Sequence, residues 1–339
     1  MSPIRPYTHE HSSPAGPGDT RPTATQIIHD QTLLSALPGT KILITGGTSG
    51  IGLETARALY LTGADIFITA RDAAKGKAVA EELTTDTLQP VSVIEMHLDS
   101  FASIRAGAAD FLVQSGGKLN ILICNAGIMA CPFGLTTDGH ELQFGTNHLG
   151  HFLLFHLLHP ALLAGAEASS KPSRIISVSS TGHRLIPSID FTTLTPTEST
   201  YAPWLSYATS KLAQIHFANY IDRHYQHQGI RAFSLHPGSI ATPLQRHVQG
   251  DPRYEAAMQD PAYRAQRKSV EQGAATSVWA AVGRELEGKG GMYLEDCGEA
   301  GPVEDGTPGY GPGYSSAAFD VEAEERLCKV SREMCGIWK

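Results

Sequence analysis

The sequence has no long apolar run, few cysteines and no block of like charge. No uninterrupted apolar stretch reaches the ~18–20 residues that cross a bilayer, so no transmembrane segment is expected. The opening residues, MSPIRPYTHEHSSPAGPGDTRP, carry neither an apolar h-region nor an amphipathic face. That argues against a secretory signal and a transit peptide. Lys and Arg number 26 against 34 Asp and Glu, for a net charge of −8. With no long basic run, nucleic acid and anionic membranes are not expected partners. The five cysteines, Cys124, Cys131, Cys297, Cys328 and Cys335, are odd in number, irregularly spaced and free of any C-x-x-C pair. Reduced thiols and a cytoplasmic setting follow as expectations. No internal repeat of ~20–50 residues stands out beyond an alternation of strands and helices.

That alternation organises the chain. Apolar, β-rich runs at 41–45, 64–70, 91–98, 119–125, 174–180 and 230–236 are separated by helical stretches. Strands this apolar, with helices of this length between them, predict an α/β fold whose parallel sheet is covered on both faces. Helices are predicted at about 140–164 and 204–226. Ser269-Val-Glu-Gln272 reads as a capping box opening a helix that runs to about Leu286. One more short strand is predicted at 291–294. Residues 1–24 are expected to form a disordered arm, and 25–38 a short leading helix. Residues 25–297 read as one domain. Residues 298–339 read as a loop-rich segment and a C-terminal helix packed on that domain.

The first strand ends in TGGTSGIG, Thr45 to Gly52, and a helix follows. In that context glycines let a tight turn bring backbone N–H groups against a pyrophosphate, at the positive end of the helix. Thr45, Gly46, Thr48, Ser49, Gly50, Ile51 and Gly52 are therefore candidate cofactor contacts. The sheet is accordingly expected to be a single Rossmann-type, doubly wound one of about seven strands. The second strand ends Thr69-Ala70-Arg71, with no carboxylate at position 70 and a guanidinium next to it. An acidic residue there would favour the free ribose hydroxyl of NAD, whereas Arg71 favours the 2′-phosphate of NADP(H). Asp72 is a candidate helix cap.

Tyr207-Ala-Thr-Ser-Lys211 places a phenol and an ammonium on one helix face. An unperturbed phenol, with a pKa near ~10, exchanges protons poorly at neutral pH. A neighbouring ammonium is expected to lower that value, which makes Tyr207 a candidate general acid and base.

The spacing T-G-x-x-x-G-x-G, followed in order by Asn125-Ala-Gly127, a Ser-ended strand and Y-x-x-x-K, resembles the short-chain dehydrogenase/reductase family, in its retinol-dehydrogenase-like and WW-domain-oxidoreductase-like branch. The resemblance covers roughly residues 38–295. It implies a catalytic set of Asn147, Ser180, Tyr207 and Lys211. Ser180, followed by Thr-Gly-His, is preferred to Ser179 as the hydroxyl that meets the substrate oxygen. Asn147, in N-H-L-G-H-F, would anchor a water chain to Lys211, and Lys211 would hold the nicotinamide ribose. Asp99 would contact adenine, although it and Ser100 are rival helix caps. Asn125, Ala126 and Gly127 would lie beside the cofactor. Pro237, Gly238, Ile240 and Thr242, in H-P-G-S-I-A-T, would bind its carboxamide end. The long gap before Tyr207 matches an insertion at about 184–203 in retinol-dehydrogenase-like members. Helices 140–164 and 204–226 would pair two subunits as a homodimer.

Together these residues predict an NADP(H)-dependent oxidoreductase of secondary metabolism that interconverts a carbonyl and an alcohol on a small molecule. A non-catalytic NADP(H)-binding sensor or scaffold is the alternative. Tyr201, Trp204, Leu205, Leu244, Tyr254, Met258 and Tyr263 are expected to wall a pocket for a lipophilic or aromatic substrate. His148, His151, His156 and His159 crowd one helix face, but packing accounts for them better than a metal, and no metal site is expected.

Overall fold

The computed structural model describes residues 3–84 and 89–337. Met1, Ser2 and Trp338, assigned above to the arm and the last helix, lie outside the described residues. In chain order the fold runs α1 (Thr8–His11), α2 (Ala24–Asp30), β1 (Lys41–Ile44), α3 (Gly50–Tyr60), β2 (Asp65–Ala70), α4 (Ala73–Leu83) and β3 (Ser92–Glu95). It continues with α5 (Phe101–Ser115), β4 (Ile121–Cys124), α6 (Leu142–Phe144), α7 (Gly150–Ser169), β5 (Ser173–Val178) and α8 (Pro203–Tyr225). The last part holds β6 (Ile230–His236), α9 (Pro252–Gln259), α10 (Pro261–Gln266), α11 (Val270–Val282), β7 (Met292–Glu295), β8 (Gly298–Glu299) and α12 (Val321–Met334).

The sheet order is β3-β2-β1-β4-β5-β6-β7-β8. β1 to β7 pair in parallel, and β8 pairs antiparallel with β7. The expected seven strands are all present. The eighth has two residues, too few to show a period in sequence. Both sheet faces are covered, as the near-continuous apolar strands required. One core packs α5, α7, α8 and α12 on the sheet through Phe111, Phe152, Phe155, Phe217 and Leu327. The other packs α2, α3, α4 and α11 through Ile28, Leu59, Val79 and Trp279. Local caps follow the sequence. Asp72 accepts the N–H groups of Ala74 and Lys75 at the start of α4. Ser269 and Gln272 complete the capping box of α11. That helix stops at Val282, and a 3₁₀ turn (Arg284–Leu286) supplies the rest of the predicted run.

The helix predicted at 140–164 runs to Ser169 and is interrupted by a π turn over Gly145–Leu149. The stretch Leu142–Ser169 is long and apolar enough, by composition, to cross a membrane. However, 61% of its most apolar window is buried inside the fold, so it serves as a core helix.

The N-terminal arm corrects the expectation of disorder. Tyr7 packs into the second core and donates its hydroxyl to Asp30 at 2.9 Å. Ile4 and Arg5 bond to Glu299 of β8. Arg21 is 3% exposed, and its guanidinium donates to the carbonyls of Gly16, Ala265, Gln266 and Arg267. The Pro- and Ser-rich composition read as disorder because most of these partners lie 244 to 295 residues away in the chain.

The C-terminal helix bears on the expected pairing of helices 140–164 and 204–226. α12 lies on α8, where Asn219 donates to Glu324 and His224 bonds Glu325. It also reaches the start of the other helix, through Ser331 with His148 and the Cys335 thiol with the Leu149 carbonyl. A second copy using this part of the two helices would have to displace α12.

The histidine cluster is bound up in packing. His148 meets Ser331, His151 bridges Thr45 and the Asn147 carbonyl, and His156 bonds the Phe152 carbonyl. Among the described residues no group of three or more His, Cys, Asp or Glu could hold a metal ion. Burial pushes His148 and His236 down to about 3, and His151, His156 and His183 down to about 4. In the unfolded chain these rings titrate near ~6.5. As pH falls from there towards 4, the unfolded state takes up protons that the folded state refuses, so stability falls with pH. The melting temperature is therefore expected to drop by on the order of 5 °C or more between pH 7 and pH 5. A flat melting profile across that interval would contradict the neutral, buried rings.

Candidate active site

A cavity of about 870 Å³ opens at the C-terminal edge of the sheet. It straddles the point between β1 and β4 where the strand order reverses, the usual ligand crevice of such sheets. Gly46, Thr48, Ser49, Gly50, Ile51 and Gly52 line one end. Gly46 and Gly50 sit in the left-handed region, with φ of 68° and 54°. The Gly46 N–H donates to Thr69 Oγ1 at 3.0 Å, which anchors the loop to β2. A Cβ on Gly52 would stand well inside contact distance of the Gly46 carbonyl and Asn125 Nδ2.

Thr45 departs from the expectation of cofactor contact. It is fully buried, and its hydroxyl accepts the N–H groups of Asn125 and Ala126, both at 3.0 Å. It ties β1 to β4 and does not reach the cavity wall. Asn125 Nδ2 returns a bond to the Thr45 carbonyl at 2.9 Å. Arg71 lines the cavity, and so does Lys75, one turn further on and not singled out in the sequence. The signal was available: Lys75 follows Arg71 by four positions at the start of α4. Ser100 takes the cap of α5, which leaves the Asp99 side chain to the cavity. Ala126, Gly127, Pro237, Gly238, Ile240 and Thr242 all line it.

A dinucleotide fits these residues. The glycine loop presents backbone free of side chains at the N-terminus of α3, and two cations stand at the end of β2. Among the described residues neither Arg71 nor Lys75 has an ion-pair partner.

At the other end, α8 begins at Pro203 and carries Tyr207, which is 3% exposed, and Lys211, 4% exposed. The Lys211 Nζ stands 5.5 Å from the centre of the Tyr207 ring. It donates to the Val178 carbonyl at 3.0 Å and to Gln214 Oε1 at 2.8 Å. Ser180, the N-cap of a 3₁₀ turn (Thr181–Leu185), stands beside the Tyr207 hydroxyl and acts to lower its pKa. Ser179 turns away and donates to the Lys211 carbonyl at 2.7 Å, so Ser180 is the hydroxyl beside the phenol. A Cβ on Gly182 would approach Tyr207 Cε1 to 3.0 Å, so the absent side chain leaves room for the ring.

The electrostatics differ from the expectation of a lowered phenol. Burial pushes Tyr207 up to about 12, against the lowering influence of Ser180, and pushes Lys211 down to about 7. Desolvation by burial is the larger effect on the phenol and outweighs the lowering influence of Ser180. The phenol therefore holds its proton through neutral pH, as a proton donor must.

Asn147 does not line the cavity. The π turn aims its side chain at the main chain of Ile128, accepting from the N–H and donating to the carbonyl, both at 2.9 Å. Its own carbonyl accepts from Gln214 Nε2 at 2.9 Å. Gln214, 1% exposed, thus spans from Asn147 to Lys211. It lies three residues after Lys211 on the same helix face, a spacing that could have flagged it. Of the expected wall, Trp204, Leu244, Tyr254 and Tyr263 line the cavity. Tyr201 is held away by Gln143 and the Cys131 carbonyl, Leu205 faces solvent, and Met258 does not reach it.

The family model described as short chain dehydrogenase matches residues 40–253. A short-chain dehydrogenase/reductase of Penicillium roqueforti, prx1, is 42% identical over 98% of this chain and 95% of its own length. Mouse retinol dehydrogenase 12 is 38% identical over 89% of this chain and 88% of its own. Among solved structures, an uncharacterised Mycobacterium paratuberculosis protein superimposes with a TM-score of 0.65 at 30% identity, over 89% of this chain and 97% of its own. The Pseudomonas aeruginosa RhlG/NADP complex, at 24% identity, shares the fold with a TM-score of 0.58, covering 78% of this chain and 98% of its own. Sequence, fold and cleft agree: the chain belongs to the short-chain dehydrogenase/reductase family, in its retinol-dehydrogenase-like branch.

Proposed function

We propose that this oxidoreductase interconverts a ketone or aldehyde and the matching alcohol on a lipophilic or aromatic small molecule, with NADP(H) as cofactor. The observation that carries the reading is the buried Tyr207 hydroxyl, beside Ser180 and Lys211, in the same cavity as the glycine loop. A bound nicotinamide supplies the hydride in reduction and takes it in oxidation. In reduction Tyr207 passes its proton to the carbonyl oxygen while Ser180 donates a hydrogen bond to that oxygen as charge builds there. Lys211 holds the nicotinamide ribose and its charge eases reprotonation of Tyr207. Gln214 and Asn147 keep that amine in place. Asp99 faces the adenine, and Ile240 and Thr242 the carboxamide.

The relatives named retinol dehydrogenase and the apolar wall of Leu185, Trp204, Leu244 and Tyr254 support a lipophilic substrate. The test is consumption of NADPH by the purified chain with a panel of lipophilic ketones and aldehydes. Binding of NADPH with no turnover of any of them would favour a sensor or scaffold.

Arg71 and Lys75 support NADP(H) over NAD(H). Arg71→Ala is expected to weaken NADPH about 10- to 100-fold, the worth of one charge-assisted phosphate contact, and to leave NADH within about twofold. Titrations of both cofactors check this. Equal losses would place Arg71 elsewhere than on the 2′-phosphate.

A further inference from the structure

The Gly/Pro-rich stretch GTPGYGPGYSS closes one side of the cavity, and two residues just after Ser180 hold it there. Arg184 points its guanidinium at this stretch. Nη1 donates to the carbonyls of Gly311, Pro312 and Gly313 at 2.9, 3.2 and 3.2 Å. Nη2 donates to those of Pro308 and Gly309 at 2.9 and 2.6 Å. Five backbone acceptors on one cation fix a loop that has no regular structure of its own. His183 fastens the far end. Its Nδ1–H donates to the Ser180 carbonyl at 2.6 Å, so its Nε2 is free to accept the Ser315 N–H at 3.2 Å. The Gly313 N–H donates to Glu295 Oε1 at 2.7 Å, which ties the middle to the end of β7.

The tip of the stretch reaches the opposite wall. The Tyr310 hydroxyl donates to Asp260 at 2.8 Å, and its ring meets Tyr263 edge-on at 5.3 Å. Gly309, Tyr310, Gly311 and Pro312 share the cavity with Tyr207 and Leu185. The strap is thus referenced to the reacting end of the cleft through the short turn that starts at Ser180, and it is latched to the α10 side through Tyr310.

We propose that residues 308–315 form a fixed substrate gauge, and that Arg184 is the positioning residue that sets its distance from Ser180 and Tyr207. The gauge gives the cleft a defined depth, ending in the Tyr310 and Tyr263 rings. It selects carbonyl substrates whose flat, apolar body extends from the reacting carbon to those rings, over compact ketones that never touch the strap. This deepens the carbonyl-reduction reading and rests on it.

The test compares wild type, Arg184→Met and Tyr310→Phe with a compact ketone (cyclohexanone) and an extended aromatic one (4-phenylacetophenone), with NADPH affinity and melting temperature measured alongside. Met keeps the apolar stem of Arg184 and removes all its donors. The expected result is a fall of about tenfold or more in the ratio of kcat/KM for the extended over the compact ketone, carried mainly by KM, in both variants. NADPH affinity should stay within about twofold, since Arg184 and Tyr310 bond the strap and the α10 side and make no bond to the glycine loop. An unchanged ratio, or an equal loss on both ketones, overturns the gauge and leaves a structural role only. Should Arg184→Met fail to fold, Tyr310→Phe, which keeps the ring, decides by the same ratio. If wild type binds NADPH but reduces neither ketone, carbonyl reduction fails. The gauge is then read by quenching of tryptophan fluorescence, with Trp204 in the cavity wall. A loss of about tenfold in affinity for 4-phenylacetophenone in the variants supports it, and equal affinity overturns it.

Discussion

Replacing Tyr207 by phenylalanine is expected to lower carbonyl reduction by about 10³-fold while NADPH affinity stays within about twofold. The substitution removes one oxygen and keeps the ring that packs beside Lys211 and over Gly182. What is lost is the proton that neutralises the oxygen as hydride arrives, and Ser180 alone can only share a hydrogen bond with it. With its pKa pushed up to about 12 by burial, the phenol is fully protonated at neutral pH, so no titration of Tyr207 itself should shape the loss between pH 6 and pH 8. The measurement is kcat and KM on the preferred ketone, with NADPH binding as control. A variant within tenfold of wild type would remove Tyr207 from the chemistry. A variant that also loses NADPH would mean the ring, not the hydroxyl, was what mattered.

Gly52→Val should abolish cofactor binding and destabilise the fold by about 3 kcal/mol or more. Gly52 lies in the first turn of α3, and any Cβ there meets the Gly46 carbonyl and Asn125 Nδ2. Neither neighbour gives way cheaply. Gly46 is locked by its bond to Thr69, and Asn125 is tied to Thr45. Relief would require the loop to lift off the strand ends, which breaks the tie between β1 and β4 and moves the N–H groups that face the pyrophosphate site. Urea denaturation reads the stability and NADPH titration reads the cradle. Near-wild-type affinity would mean that the loop is softer than its contacts imply, and that the close approach at Gly52 is not required for binding.

The alternation of apolar runs, the glycine loop, the caps at Asp72 and Ser269 and the Tyr207–Lys211 spacing were all legible along the chain. Each is a local signal, set within a few residues by periodicity, backbone freedom or side-chain reach. Several readings failed for the converse reason, three of them at named residues. The arm looked disordered because the carbonyls that receive Arg21 and the pocket that receives Tyr7 come from distant segments. Thr45 looked like a cofactor contact, yet the pairing of β1 with β4 turns its hydroxyl into a tie between strands. The phenol was expected to be lowered by its neighbour, but the depth of its burial, which no spacing reveals, raised it instead.

The sequence by itself determined the order of the main strands and helices, the family, and most of the residues that meet at the cleft. Those follow from short-range geometry repeated in a fixed order. Only the tertiary structure decided that Gln214 links Lys211 to Asn147, that α12 covers α8, and that Arg184 holds the Gly/Pro strap over the cavity. These are contacts between segments far apart in the chain. Their partners are fixed by packing and by the need to satisfy buried polar groups, which local pattern does not encode.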